Sequence, residues 1–233
     1  METFRRPAAN PEERSERVVR KFVGIVGLGL AAALLSACAP TGAGLSGCRV
    51  ERAAGSTASA VGGLGNPPTH LTQDEIDAMA ACLGPALDVA LAKARDATIR
   101  ATRGWRTMST TYVASEHGMF LQVFANASAA SDYAKAEQGS RLLPGAAILK
   151  RSFHVDRAGN ATPGSLYLME RMAPGYDSST NDWRFTVTTP EGLRLGESGG
   201  EDAPAVAFCA GCHKSARVQD FLFFVPPRFR VAN

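Results

Sequence analysis

Between residues 72 and 91 the apolar side chains recur every three or four positions, at Ile76, Met79, Leu83, Leu87 and Leu91. That period places them on one face of a helix. Thr72-Gln-Asp-Glu75 just ahead of the stripe is a capping box, which predicts where the helix starts. Gly84-Pro85 inside it predicts a kink. From about residue 110 the period falls to two. Segments 110–114 and 119–125 flank Glu116-His117-Gly118 and read as a hairpin. Residues 128–138, with Tyr133, Ala134 and Ala136, read as a short helix stopped by Gly139. Pro144-Gly145 then turns into a strand over 146–155, and Asp156-Arg-Ala-Gly159-Asn160 turns again. Further strands are expected over 165–172 and 183–189, punctuated by Pro174-Gly175 and Pro190-Glu-Gly192. A short helix is expected from residue 209 towards Phe221. Helix followed by a run of antiparallel strands defines an α+β class.

The chain ahead of this pattern is different. Arg17, Arg20 and Lys21 precede an apolar run over 22–35, and Leu35-Ser36-Ala37-Cys38 resembles a lipobox. The reading is a lipoprotein signal peptide over 1–37, cut so that Cys38 becomes a lipidated N-terminus. The alternative is an uncleaved anchor helix, for which the run is short against a span of about 20 residues. Residues 38–69 are rich in Gly, Ala and Ser and read as a flexible tether. Residues 70–233 are then a single folded domain, long enough for one core. The expected location is the periplasm or cell envelope, on a membrane through the lipid. The net charge of +3 over 233 residues gives no basic surplus, so no nucleic acid partner is expected.

The cysteines carry the chemistry. Cys209-Ala-Gly-Cys212-His213 is a C-x-x-C-H pentapeptide, the attachment signature of c-type haem. Two thiols at this spacing can each form a thioether to a haem vinyl group, and the adjacent imidazole then lies under the iron as its axial ligand. A redox dithiol would open a helix in a βαβ setting, which the pattern does not show. A zinc site would need one more ligand beyond these three residues. Export fits a haem c, because the group is attached outside the bacterial cytoplasm. Cys82 reads most simply as a small buried residue in an Ala-rich helix. A Cys48–Cys82 disulfide is the alternative in an oxidising compartment.

Several segments, in order, resemble the cytochrome P-460 and cytochrome c′-beta family over about residues 108–231. They are Val123-Phe124-Ala125-Asn126 before the helix with Tyr133, then Leu143-Pro144-Gly145-Ala-Ala-Ile148-Leu149-Lys150. Asp182-Trp183-Arg184-Phe185 comes next. Phe208-Cys-Ala-Gly-Cys-His-Lys214 and Asp220-Phe-Leu-Phe223 complete the set. The resemblance implies an antiparallel β-sheet packed on a c-type haem with a few short helices, commonly as a homodimer, with one covalent haem c and a five-coordinate iron. Within the family, P-460 members oxidise hydroxylamine and c′-beta members bind nitric oxide and similar gases. An oxidase also needs a redox partner protein to take its electrons.

The resemblance also points to Lys150 as the counterpart of a strand lysine that P-460 enzymes link covalently to the haem ring. Independently, a lysine after Ala146-Ala-Ile-Leu149 is unusual, because burying an ammonium without a partner is costly; the alternative is that it faces solvent beside Arg151. His154 lies an even number of residues further along the same strand, and so on the same face. It is the candidate proton relay. Two positions depart from the hydroxylamine oxidases. Leu121 stands where they carry a distal arginine, and Pro204 stands where some members carry a distal acid. That departure favours a second reading, a non-catalytic gas-binding cytochrome. A third reading is a simple electron carrier, with Met119, Met169 or Met172 as a sixth ligand.

Overall fold

A computed structural model describes residues 47–50, 71–115 and 118–232. The expected signal peptide, Cys38, most of the expected tether, and Glu116 and His117 of the expected turn lie outside the described residues. Helix α1 (Gln73–Lys93) begins at the capping box: the Thr72 hydroxyl accepts from the Glu75 amide, and the Glu75 carboxylate accepts from the Thr72 amide. It runs through Pro85 as one helix and buries Ile76, Met79, Leu83, Leu87 and Leu91, the stripe read from the sequence. A short helix α2 (Ala97–Ala101) follows, capped by the Asp96 carboxylate.

Among the described residues the sheet has seven strands, all antiparallel: β1 (Arg106–Thr107), β2 (Val113–Ala114), β3 (Phe120–Ala125), β4 (Ala147–Val155), β5 (Ala161–Arg171), β6 (Trp183–Thr188) and β7 (Arg194–Glu197). From β3 to β7 it is a meander, with β1 and β2 pairing successively along the outer edge of β3. Between β3 and β4 the expected single helix is two short ones, α3 (Ala127–Ala130) and α4 (Tyr133–Glu137). The Asn126 side chain caps α3 and also accepts from the Ala147 amide, tying that helix to the start of β4.

Alternation divides the sheet into two buried faces. On one, Leu149 and Ala147 of β4 and Leu166 and Leu168 of β5 pack with Leu91, Ala94 and Ile99 of the helical layer. Phe120 and Phe153, paired across β3 and β4 and stacked at 5.0 Å, pack with Leu83 and Leu87 of α1. The other face carries Val123, Ile148, Met169, Phe185 and Val187 and receives the C-terminal segment, including Val206, Cys209, Phe221 and Leu222. The sheet is thus a middle layer, with α1 on one side and the pentapeptide on the other.

Two expectations need correction. Cys48 and Cys82 form a disulfide, so Cys82 is a cross-link and not merely a small core residue. Gly47–Val50, placed in the expected tether, belong to the folded body. The Cys48 carbonyl accepts from the Ala161 amide, the Val50 amide donates to the Gly159 carbonyl, and Val50 is buried.

Candidate functional site

The pentapeptide forms helix α5 (Ala207–His213). Cys209 is buried, Cys212 half-buried, and both are free thiols, unlike the Cys48–Cys82 pair. Burial pushes the Cys209 thiol up to about 11, so it stays protonated near neutral pH. His213 is buried, and its Nδ1 lies 2.6 Å from the Phe221 carbonyl oxygen. A carbonyl can only accept, so Nδ1 carries the proton and Nε2 keeps the ring's donor electron pair. This is the arrangement by which a protein orients an imidazole for a metal. Phe185 and Phe223 flank the ring at 5.3 and 5.0 Å between centroids.

The Phe221 carbonyl is held by an unusual turn. After α5 the chain makes a 3-10 helix (Lys214–Gln219), and then Asp220 and Phe221 both adopt positive φ, 54° and 63°. Left-handed backbone costs a non-glycine residue about 1–2 kcal/mol. The surroundings offset that cost. Asp220 Oδ2 accepts from the Leu142 amide at 2.8 Å, and Oδ1 accepts from Arg171 and from Asn181, each at 3.0 Å. The Asp220 carbonyl accepts from the Trp183 indole at 2.8 Å.

Opposite α5, the inward face of the sheet presents Lys150. Its cross-strand neighbours are Val123 on β3 and Tyr167 on β5. Lys150 and Leu121 line both of two apolar spaces between sheet and C-terminal segment. One, of about 40 Å³, also borders Cys209, His213, Tyr167 and Phe185. The other, of about 220 Å³, borders Cys212, Phe223 and Val225. Burial lowers the Lys150 ammonium to about 8, against a smaller opposing influence of Cys212 and Cys209. The Nζ lies 5.7 Å from the centre of the Phe223 ring, a cation–π distance. Of the two orientations considered for Lys150, the inward one is therefore realised, while its neighbour Arg151 points to the other face and pairs with Asp88 and Gln122.

The remaining expected positions fall elsewhere. His154 does share the Lys150 face, but at four residues' remove, about 13 Å along an extended strand. It is half-buried, its pKa is lowered by burial, its Nε2 sits against Gly164, and it lines neither cavity. Leu121 is a wall of both cavities. Pro204 is exposed in a 3-10 turn before α5. Met119 and Met169 line the smaller cavity and are buried, whereas Met172 lines neither. Three participants were missed in the sequence: Tyr167, the Phe221 carbonyl and the Arg171–Asp220 pair. Period two along β5 could have flagged Tyr167 as facing Lys150; nothing local signals a backbone carbonyl.

The residues fit a c-type haem. Two free thiols three apart sit on one helix, next to an imidazole whose donor nitrogen is fixed, beside an apolar crevice between sheet and C-terminal segment. The zinc alternative fits less well, since among the described residues no three His, Cys, Asp or Glu side chains converge as ligands for an ion. Fold and site together define a β-sheet cytochrome of the c type. The family model for cytochrome P460 matches residues 100–224, and the chain belongs to that family. Membership implies haem c with its iron. No curated protein matches the chain.

Proposed function

We propose that the protein is a lipid-anchored, extracytoplasmic monohaem cytochrome whose open axial site takes a small nitrogen ligand, hydroxylamine or nitric oxide. Thioethers to Cys209 and Cys212 hold the one haem, and His213 is the iron's proximal ligand. The observation that carries this reading is the Nδ1 contact of His213 with the Phe221 carbonyl, made beside two cysteine thiols and an apolar crevice. When bound, the haem would supply a redox-active iron.

The chain's own part is to orient and to exclude. His213 offers Nε2 along a direction set by the Phe221 carbonyl. Leu121, Val123, Ile148 and Phe185 keep the crevice apolar, which favours a small, weakly hydrated ligand. Lys150 is the candidate for covalent attachment to the ring, because its half-buried amine borders both cavities and is partly neutral near neutral pH. Exchanging a ring C–H for a C–N bond would also release two electrons and two protons, which a peroxide-class oxidant would have to take up. Electrons released by an oxidation would pass to a separate redox partner protein, and a homodimer is the expected assembly.

One observation favours gas binding without turnover. Among the described residues, neither cavity is lined by a carboxylate. Hydroxylamine oxidation needs a proton acceptor beside the bound substrate, a part left here to the Lys150 amine that borders both cavities, and reversible binding of nitric oxide needs none.

The optical spectrum of the ferrous protein separates these readings. A strongly red-shifted Soret band, with hydroxylamine consumed in the presence of an artificial acceptor, supports the oxidase. An ordinary five-coordinate spectrum that changes with nitric oxide, without hydroxylamine turnover, supports the gas binder. A low-spin spectrum indifferent to both ligands contradicts the open axial site.

A further inference from the structure

Arg171 and Asp220 form an ion pair with both side chains almost wholly buried, 6% and 0% exposed. It lines neither cavity. Buried ion pairs contribute little net stability over apolar replacements, but they fix position. Here they fix one short piece of chain. Asp220 is gripped from the loop before β4 by Leu142, from β5 by Arg171, and from the turn before β6 by Asn181. Trp183 at the start of β6 takes its carbonyl. Arg171 in turn donates to the Asn181 carbonyl and stacks over the Trp183 ring. The next peptide unit is the one whose carbonyl accepts from His213.

Resting on the reading that His213 is the proximal ligand, we propose that Arg171 and Asp220 are positioning residues for that ligand: by clamping the left-handed Asp220–Phe221 turn they set the distance and angle of the Phe221 carbonyl to Nδ1, and through it the donor strength of the imidazole. A strong Nδ1–H bond gives the ring imidazolate character and makes Nε2 a better donor. The control reaches the iron from a pair that touches neither ring nor metal. A purely structural pair would hold the fold and leave the ligand's electronic character alone.

The test uses the haem-loaded protein, with two readouts besides activity: the ferrous iron–histidine stretching frequency by resonance Raman, and the reduction potential. Asp220→Asn removes the charge that Arg171 grips while keeping the shape. The expected result is a lower stretching frequency and a higher potential, because the relaxed turn weakens the bond to Nδ1. Arg171→Lys, which keeps the cation, should shift both readouts less. A folded, haem-loaded Asp220→Asn with wild-type frequency and potential would overturn the proposal. Should that variant fail to fold, Asn181→Gly decides. It accommodates the positive φ of Asn181 and deletes only the amide donor to Asp220; a shift of the same sign supports the clamp, and no shift overturns it. Failure of the parent reading looks different, because the wild-type pentapeptide would then carry no haem at all.

Discussion

Replacing Lys150 by methionine tests the cost of placing an amine in an apolar wall. Methionine keeps most of the side-chain volume and removes the charge. In the folded chain burial lowers the lysine from 10.5 to about 8. At about 1.4 kcal/mol per unit, holding the ammonium in place costs roughly 3 kcal/mol below pH 8. The sign follows from proton counting. Between pH 8 and 10.5 the unfolded chain binds more protons at this site than the folded one, so wild-type stability rises with pH there. Lys150→Met should therefore be more stable than wild type by roughly 2–3 kcal/mol at pH 7, and the advantage should shrink towards zero by about pH 10.5. Titrating groups that do not interact with Lys150 cancel in the difference, and Cys209 and Cys212, which do interact with it, no longer titrate once they are thioethers to haem. Urea unfolding of both proteins at several pH values measures it, on protein whose peptide mass shows an unmodified Lys150. A difference that stays flat from pH 7 to 10.5 would refute the buried-ammonium argument. An already modified Lys150 would instead be direct support for attachment to the ring.

Three further outcomes follow from the packing. The double substitution Cys48→Ala and Cys82→Ala opens a link across 34 residues and should cost about 3–4 kcal/mol in urea unfolding, so a loss under 1 kcal/mol would count against the cross-link. Leu83→Ala, at a position with 0% exposure between α1 and the sheet, should cost about 2–5 kcal/mol with an unchanged denaturant slope. Thr72→Ala removes one half of the capping box and should lower stability by about 1 kcal/mol, visible as a small drop in the unfolding midpoint.

Elements with a strong repeat were legible in the sequence, and elements held by partners were not. The α1 stripe and its capping box carry their own signal, and the structure has both. The long central strands also showed, although β5 starts at Ala161 and so runs four residues further ahead than expected. Pro163 and Gly164 lie in that extension, beside a register shift opposite Arg151 and Phe153, where irregular pairing tolerates them. The two-residue β1 and the four-residue β7 were missed because so short a run has no period to read.

The site divides in the same way. The pentapeptide announces itself, and Lys150 stood out as a charge in an apolar run. The turn at Asp220 and Phe221 did not, because two non-glycine residues at positive φ go against local preference and are held by Arg171, Asn181 and Trp183 from distant strands and turns. The Cys48–Cys82 disulfide was open in the sequence as an alternative and is the one realised; spacing alone did not decide it, since it does not say that residue 48 returns to lie against α1.

The most direct test of the central claim is the mass of the peptide containing Cys209, Cys212 and His213 from protein purified out of the cell envelope and denatured. The account predicts a peptide heavier than its sequence by one haem, with the pigment retained through acidified acetone. A peptide of unmodified mass, or pigment released into the solvent, would contradict it.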